Sequence, residues 1–233
     1  MPNAALDTRT IAHRVANVRE RIACAASRTG RNPDTIRLVV AAKGMPPETI
    51  RAAAAAGIDC IGENRLQEAD VKMAALADLP LQWHFIGRLQ RRKAKDVVGR
   101  FTLIHSLDSL ELAEEIDRRA AAAHVVQAVL IQVNIGREAS KAGFGPEAVA
   151  SAVAACDNLA HITVRGLMAI PPIVKNAADA RPYFRRVHEL AASIDGGRLR
   201  ELSMGMSGDF EVAVEEGATY VRVGTAIFGE RPQ

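Results

Sequence analysis

The chain has 233 residues, of which 48% are apolar and 24% are charged, and its formal net charge is +3. This length and composition are typical of one globular domain with a sizeable core, and the small positive charge does not indicate a nucleic-acid partner. No stretch approaches the roughly 18 apolar residues that a membrane span needs, and the N-terminus lacks the pattern of a secretory signal.

Hydrophobic periodicity divides the chain into alternating helices and strands. An amphipathic helix is predicted over residues 6–28, because Ile11, Val15, Val18 and Ile22 recur at helical spacing. The predicted strands that follow span residues 36–42, 58–61, 81–86, 101–105, 125–133, 162–168, 199–203 and 220–223. The predicted helices between them span residues 48–56, 66–76, 89–98, 107–122, 146–155, 177–194 and 210–216.

Strands that alternate with helices imply an α/β fold with a parallel sheet. Eight such units in this length favour a single (β/α)8 TIM barrel with an extra N-terminal helix, and we expect residues 1–233 to form one domain. An open, doubly wound sheet is the alternative, because closure of a sheet cannot be read from a sequence.

Residues suited to chemistry stand at the strand ends, which is where the active site of a barrel lies. They are Lys43, Asn64, His84, Asn134, Met168, Ser203 and Arg222. By strand alternation, His84 is expected to point into the barrel, either as a satisfied core histidine or towards a ligand. An arginine inside a strand needs an acceptor, which Glu63, Asp209 or a ligand would supply to Arg222.

Lys43 directly follows the apolar strand 36–42. A lysine that leaves a buried strand is partly desolvated, which lowers the pKa of its amine and favours attack on a carbonyl group. The alternative is a lysine whose charged end simply extends to solvent.

Two glycine-rich turns end the last two predicted strands. They are Ser203-Met204-Gly205-Met206-Ser207-Gly208-Asp209 and the end of Val221-Arg222-Val223-Gly224-Thr225-Ala226-Ile227-Phe228-Gly229. Small residues let backbone N–H groups approach an anion closely, so we expect one phosphate group between the two turns. Together with Lys43, this favours a phosphorylated aldehyde as the ligand.

Other features give weaker signals. Arg88, Arg91, Arg92, Lys93, Lys95 and Arg100 form a basic cluster without interleaved aromatic residues, which is interpreted as a solvated face rather than a nucleic-acid surface. The odd and widely spaced Cys24, Cys60 and Cys156 predict neither a disulfide framework nor a metal site, and they favour a cytoplasmic protein.

Taken together, these residues resemble the pyridoxal 5′-phosphate homeostasis proteins, the YggS/PROSC family. The resemblance covers residues 38–229 and rests on several blocks in one order. The blocks are Lys43, Gly62-Glu63-Asn64, Gln67-Glu68, Trp83-His84-Phe85-Ile86-Gly87, Leu89-Gln90, Lys93, Gln132-Val133-Asn134-Ile135, Lys141-Ala142-Gly143, Arg165-Gly166-Leu167-Met168-Ala169-Ile170-Pro171 and the two glycine-rich stretches.

The resemblance implies a barrel similar to the N-terminal domain of alanine racemase, with pyridoxal phosphate held on Lys43 as an internal aldimine, a Schiff base. Ser203, Gly224 and Thr225 match the phosphate-binding positions, Met204 and Arg222 lie nearby, and Asn64, His84 and Met168 match positions that line the cofactor. If Arg222 faces the pyridine nitrogen, it disfavours protonation there and makes the ring a poorer electron sink.

The function implied is a cytoplasmic, non-catalytic carrier or buffer of this vitamin B6 cofactor. We expect a monomer that serves pyridoxal phosphate-dependent apoenzymes, with no metal, membrane or nucleic-acid partner and no second domain after Gly229. One alternative is a pyridoxal phosphate-dependent racemase that uses Lys43 and His84. Another is an aldolase in which Lys43 attacks a sugar phosphate directly.

Three positions depart from the family pattern. Ala42 and Gly44 flank Lys43 where a small hydroxyl residue and a threonine are common, and Arg92 replaces a common asparagine. The lost hydroxyl groups change the polarity around Lys43, but the amine itself is retained.

Overall fold

Eight strands form the centre of the molecule. The structure is a computed structural model that describes residues 7–194, 196 and 198–230. The strands are Arg37–Ala41 (β1), Cys60–Glu63 (β2), Gln82–Phe85 (β3), Leu103–Leu107 (β4), Gln127–Val133 (β5), Ile162–Ala169 (β6), Glu201–Met206 (β7) and Tyr220–Val223 (β8). Each pairs in parallel with its neighbour in sequence, and β1 pairs with β8. The sheet is therefore a closed barrel, as predicted, and the open-sheet alternative is excluded.

Helices cover the outside of this barrel. They are Thr8–Arg28 (α1), Pro47–Ala55 (α2), Leu66–Ala75 (α3), Leu110–Ala122 (α4), Val149–Cys156 (α5), Arg181–Ser193 (α6), Phe210–Glu215 (α7) and Thr225–Phe228 (α8), and short 3₁₀ helices span Pro33–Thr35, Arg91–Asp96, Pro146–Ala148 and Ala177–Ala180. Among the helices described here, none is long and apolar enough to cross a membrane.

The extra helix α1 packs against α2, α7 and α8. Its predicted stripe is buried, since Ile11, Val15, Val18 and Ile22 are each at most 4% exposed. On its outer side, the Arg21 guanidinium donates to Glu211 of α7, at 2.7 Å for the shorter of two bonds. The helix is thus held in the outer helical layer by apolar packing.

Apolar side chains form two separate clusters. The larger lies between strands and helices, and the smaller lies inside the barrel and consists of Val39, Cys60, Leu103, Leu130, Met168 and Tyr220. The alternation of side chains along each strand explains this division, because successive residues face opposite sides of the barrel wall.

Some predicted boundaries were wrong. The helix predicted over residues 89–98 is only the 3₁₀ helix Arg91–Asp96, and the strand predicted over 101–105 is β4, two residues later. The strand predicted to end at Ser203 continues to Met206, because Gly205 adopts a φ of +91° inside the strand instead of ending it. This last shift changes which residues reach the site.

Candidate functional site

A cavity of about 380 Å³ opens at the carboxyl ends of the strands. Its lining residues are Ala41, Lys43, Met45, Asn64, Ile86, Ile170, Met206, Ser207, Gly208, Arg222, Gly224, Thr225, Phe228 and Gly229. They come chiefly from the ends of β1, β2, β7 and β8 and from the loop after β6. The cavity is therefore where a barrel of this kind places its functional groups.

Lys43 lies at the end of β1 in a tight turn and is half-buried. The turn is closed by a hydrogen bond from the Met45 N–H to the Ala42 carbonyl, at 3.0 Å. Gly44 has a φ of +72°, a conformation that side chains with a Cβ rarely adopt. The departure from threonine to Gly44 is thus well suited to the backbone that carries Lys43.

A second group of donors lies where β7 and β8 end side by side. The Ser207 hydroxyl oxygen accepts hydrogen bonds from the backbone N–H groups of Gly224, at 3.3 Å, and Ala226, at 3.2 Å. Because this oxygen acts as an acceptor towards both amides, its own hydrogen is left to donate. The two glycine-rich turns are therefore joined, and the joint lies in the cavity lining.

Register explains how Ser207 reaches this position. Ser203 is paired with Tyr220 and Met206 with Arg222, so three residues of β7 span the distance of two residues of β8. The extra residue is a β-bulge, and such bulges commonly redirect side chains near functional sites.

Arg222 brings a buried positive charge to the cavity and is 5% exposed. It donates to the Ser203 hydroxyl at 2.6 Å and to the Ala169 carbonyl at 3.1 Å. Burial lowers the pKa of Arg222 to about 10, although the charge of Asp209 opposes this, so the guanidinium is still cationic at neutral pH. Of the two carboxylates expected to partner Arg222, Asp209 acts on Arg222 only through the electrostatic effect of its charge. Glu63 does not act on Arg222, because Glu63 is paired with Lys72.

Four polar side chains form a continuous chain inside the barrel. The His84 and His105 rings are joined by a 2.9 Å hydrogen bond between Nδ1 and Nε2, and His105 Nδ1 lies 2.7 Å from the Ser203 hydroxyl, which binds Arg222. Since Arg222 can only donate, the Ser203 hydroxyl oxygen accepts from Arg222 and its O–H donates to Nδ1 of His105. The Nε2–H of His105 then donates to Nδ1 of His84. Both histidines are therefore neutral, single-tautomer groups in this arrangement.

The environment of these rings disfavours their charged forms. Burial lowers the pKa of His84 to about 3, with smaller effects from Arg37 and Arg165. Burial also holds the pKa of His105 well below its usual range, assisted by His84 and Arg222. Tyr220 packs edge-on against both rings.

The structure brings together five of the nine predicted site residues. Lys43, Asn64, Arg222, Gly224 and Thr225 line the cavity. The other four do not line it: His84, Met168 and Ser203 are buried inside the barrel, and Met204 packs outward in the larger core cluster. His84 is 1% exposed and hydrogen-bonded to His105, which is the environment of a core histidine.

Several lining residues were not predicted individually, chiefly Met206 and Ser207. Both residues belong to the glycine-rich stretch 203–209, but the predicted strand ends at Ser203, which does not place Met206 and Ser207 at a strand end. Among the lining residues in the described part of the chain, Lys43 and Arg222 carry the only titratable side chains.

The remaining sequence signals lie outside the cavity. Burial raises the pKa of Cys60 to about 12, so its thiol is poorly suited to redox chemistry. In the basic cluster, Arg88 pairs with Asp108 and Arg100 with Asp70, and the side chains of both arginines are exposed, which agrees with a solvated face.

The chain matches the family model for the N-terminal domain of alanine racemase over residues 11–232. It is 49% identical over 221 residues to a protein of Aquifex aeolicus named pyridoxal phosphate homeostasis protein, and the match covers 94% of this chain and 97% of that one. A protein of the same name from Pseudomonas aeruginosa is 44% identical, with 95% and 96% covered.

Solved structures with the same barrel include PipY of Synechococcus elongatus with PLP bound. PipY is 39% identical, with a TM-score of 0.80 and coverage of 94% of this chain and all of PipY. An alanine racemase of Clostridium difficile has a TM-score of 0.68 at 14% identity, and the match covers 92% of this chain and 55% of the racemase. The second likeness concerns the fold alone.

Proposed function

This chain belongs to the family of pyridoxal phosphate homeostasis proteins, and from that membership we propose that it binds pyridoxal 5′-phosphate as an intracellular carrier or buffer of the cofactor. One observation carries the proposal: an amine at Lys43, a buried cation at Arg222 and the Ser207 donor group line the same cavity. An amine suits an aldehyde, and the hydroxyl and amide donors suit a phosphate.

The phosphate end fits the joined turns of β7 and β8. The Ser207 hydroxyl is polarised by the amides of Gly224 and Ala226 and keeps one hydrogen to donate. A Cβ at Gly224 would lie 3.1 Å from the Ala41 carbonyl oxygen, so this close approach is open only to glycine without local movement. We therefore propose Ser207, Gly224 and Thr225 as the phosphate-binding residues, with Ser207 taking the role first expected of Ser203.

The aldehyde end fits Lys43. Condensation of its amine with the aldehyde forms a C=N bond and releases one water molecule, and this Schiff base would hold the cofactor. When bound, pyridoxal phosphate supplies a ring that can withdraw electrons from an attached amino group. Arg222 stays cationic, and a cation facing the ring nitrogen would disfavour protonation there and make the ring a poorer electron sink.

A non-catalytic role is supported by the makeup of the lining. A racemase that moves a proton between two faces of its substrate needs an acid/base group on each face. Lys43 and Arg222 are the titratable groups among the described lining residues, and His84 is hydrogen-bonded inside the barrel. We extend the proposal to a monomer in the cytoplasm that passes its cofactor to pyridoxal phosphate-dependent apoenzymes.

The test is the visible absorbance spectrum of the purified protein with pyridoxal phosphate, followed by borohydride reduction and peptide mapping. We expect a yellow protein with a phosphopyridoxyl group on Lys43 and no visible band in Lys43→Ala. Lys95→Ala, which changes an exposed lysine of the 3₁₀ helix Arg91–Asp96, should behave as the wild type.

Two results would contradict the proposal. An unmodified Lys43 in cofactor-treated protein would remove the cofactor role and favour the cofactor-free aldolase alternative. Inversion of an amino acid, detected by chiral analysis after long incubation and lost in Lys43→Ala, would replace the carrier with a racemase.

A further inference from the structure

The turn that carries Lys43 is bound from behind by helix α3. Lys72 of α3 donates to the carbonyl oxygen of Ala42, at 2.7 Å, and Glu68 accepts from the backbone N–H of Gly44, at 2.7 Å. The peptide groups immediately before and after Lys43 are thus each held by a side chain of the same helix. Neither Lys72 nor Glu68 lines the cavity, so both act on Lys43 through the backbone.

The two side chains also hold each other. The Lys72 ammonium donates to Glu63 at 2.6 Å and to Glu68 at 3.3 Å, so its three hydrogens have three acceptors when the Ala42 carbonyl is included. Glu68 precedes Lys72 by four residues on the helix, which is the favourable order for such a pair. The result is a largely buried network in which Lys72 and Glu68 each bond to one of the two peptides that flank Lys43.

Stability alone is a poor explanation for this network. Lys72 is 4% exposed and Glu63 is fully buried, and a buried ion pair is often no more stabilising than apolar residues of similar volume. The Gly44 residue is exposed, so its N–H could bond to water and does not require Glu68. What the network does contact is the backbone of the turn on both sides of Lys43.

We propose that Lys72 and Glu68 are positioning residues for Lys43, and that they set how readily its amine captures an aldehyde. The inference rests on the proposed function, because it concerns the linkage between Lys43 and the cofactor. In their absence the turn can rotate, and the amine loses its preorganised direction while the phosphate-binding group at β7 and β8 is unchanged.

The experiment compares two ligands that differ only at the reacting carbon. Pyridoxal 5′-phosphate carries the aldehyde, whereas pyridoxine 5′-phosphate carries an alcohol and cannot form a Schiff base. We expect Lys72→Met and Glu68→Ala to weaken the affinity for pyridoxal phosphate on the order of tenfold and to leave that for pyridoxine phosphate within about twofold. Glu68→Gln, whose amide oxygen can still accept from Gly44, should recover most of the loss.

A second readout needs no ligand. Amide hydrogen exchange at Gly44 in the cofactor-free protein should accelerate in Glu68→Ala and return towards the wild-type rate in Glu68→Gln. Arg31→Met is the matched control, because Arg31 also binds two backbone carbonyls, those of Val214 and Ala218, but does not line the cavity. It should lower stability without changing either affinity.

Equal losses for both ligands, or unchanged affinities in both variants, would overturn the inference. If Lys72→Met does not fold, Glu68→Ala decides the matter alone, since the Glu68 side chain is 25% exposed. The proposed function fails separately: a wild-type protein that binds pyridoxine phosphate but never forms a borohydride-reducible linkage would overturn the role of Lys43 itself.

Discussion

Two serines near the end of β7 have the same chemistry and different surroundings. Ser203 is fully buried between Arg222 and His105, with both sides of its hydroxyl group engaged. Ser207 lies at the cavity and accepts only from backbone amides. An anion needs a donor that is free to reach it, so the phosphate-binding role that we propose for Ser207 is argued from its position rather than from its residue type.

Replacement of Ser207 by alanine should weaken binding of pyridoxal phosphate about tenfold or more, as is typical for a hydrogen bond to a charged group. Pyridoxal, which lacks the phosphate, should lose little. Absorbance titration with both ligands measures the difference. The comparison variant Ser203→Ala should mainly destabilise the fold, and a larger loss of phosphate-dependent affinity there than in Ser207→Ala would contradict this assignment.

The place of Lys43 in the cavity lining could be predicted at this scale, because Lys43 directly follows five apolar residues of a strand. Ser207 could not, because the conformation of Gly205 decides where β7 ends. A glycine at φ +91° can stop a strand or bulge within it, and only the pairing with β8 distinguishes the two.

At the scale of elements, β3 and β4 each place one histidine inside the barrel, where burial depresses the pKa values of both. An exposed histidine of the unfolded chain takes up a proton near pH 6.5. The folded protein resists that proton, so the stability contributed by His84 is complete above pH 6.5 and is lost as the pH falls towards about 3.

We therefore expect His84→Gln to reduce the acid sensitivity of the fold. Between pH 6.5 and pH 4.5, wild-type protein should lose about 2 kcal/mol more unfolding free energy than the variant, since one proton per unfolded molecule drives the change. Urea unfolding at several pH values measures this difference. Parallel curves for the two proteins would show that His84 is protonated in the folded state.

The elements themselves were largely predictable, because helical and strand periodicities require different spacing of apolar residues. The beginning of β4 was not, because Phe101 is buried at 3% exposure although it precedes the strand. In most of this barrel the buried apolar residues of a strand pattern are also paired in the sheet. Phe101 is buried but lies outside β4.

At the scale of the whole molecule, α1 closes the outer layer against α2, α7 and α8. A charge on its buried face would have no partner, so Val18→Asp should cost about 3–5 kcal/mol of unfolding free energy. Asn17→Asp adds the same charge one residue away on the exposed face and should change stability by less than about 0.5 kcal/mol. Urea denaturation followed by circular dichroism compares the stabilities of the two variants. Similar urea midpoints would mean that the packing of α1 contributes little to the stability of the fold.

The barrel could be predicted from the count of alternating units, but the contents of its interior could not. Which strand residues meet across a barrel depends on register. Register joins His84 and His105 of β3 and β4 to Ser203 and Arg222 of β7 and β8, and the two pairs of strands are distant in sequence. The spacing of these residues in the sequence does not predict their contacts.

Helix α1 packs against the outer helices, among them α8, which also carries Thr225 and Phe228 of the cavity lining. Lining positions outside α8, such as Asn64 and Ser207, can therefore be substituted while the packing of α1 is left intact. A barrel can therefore acquire different tasks during evolution by changes to a few side chains at the mouth of its cavity. The barrel shared with alanine racemase is an instance of that latitude.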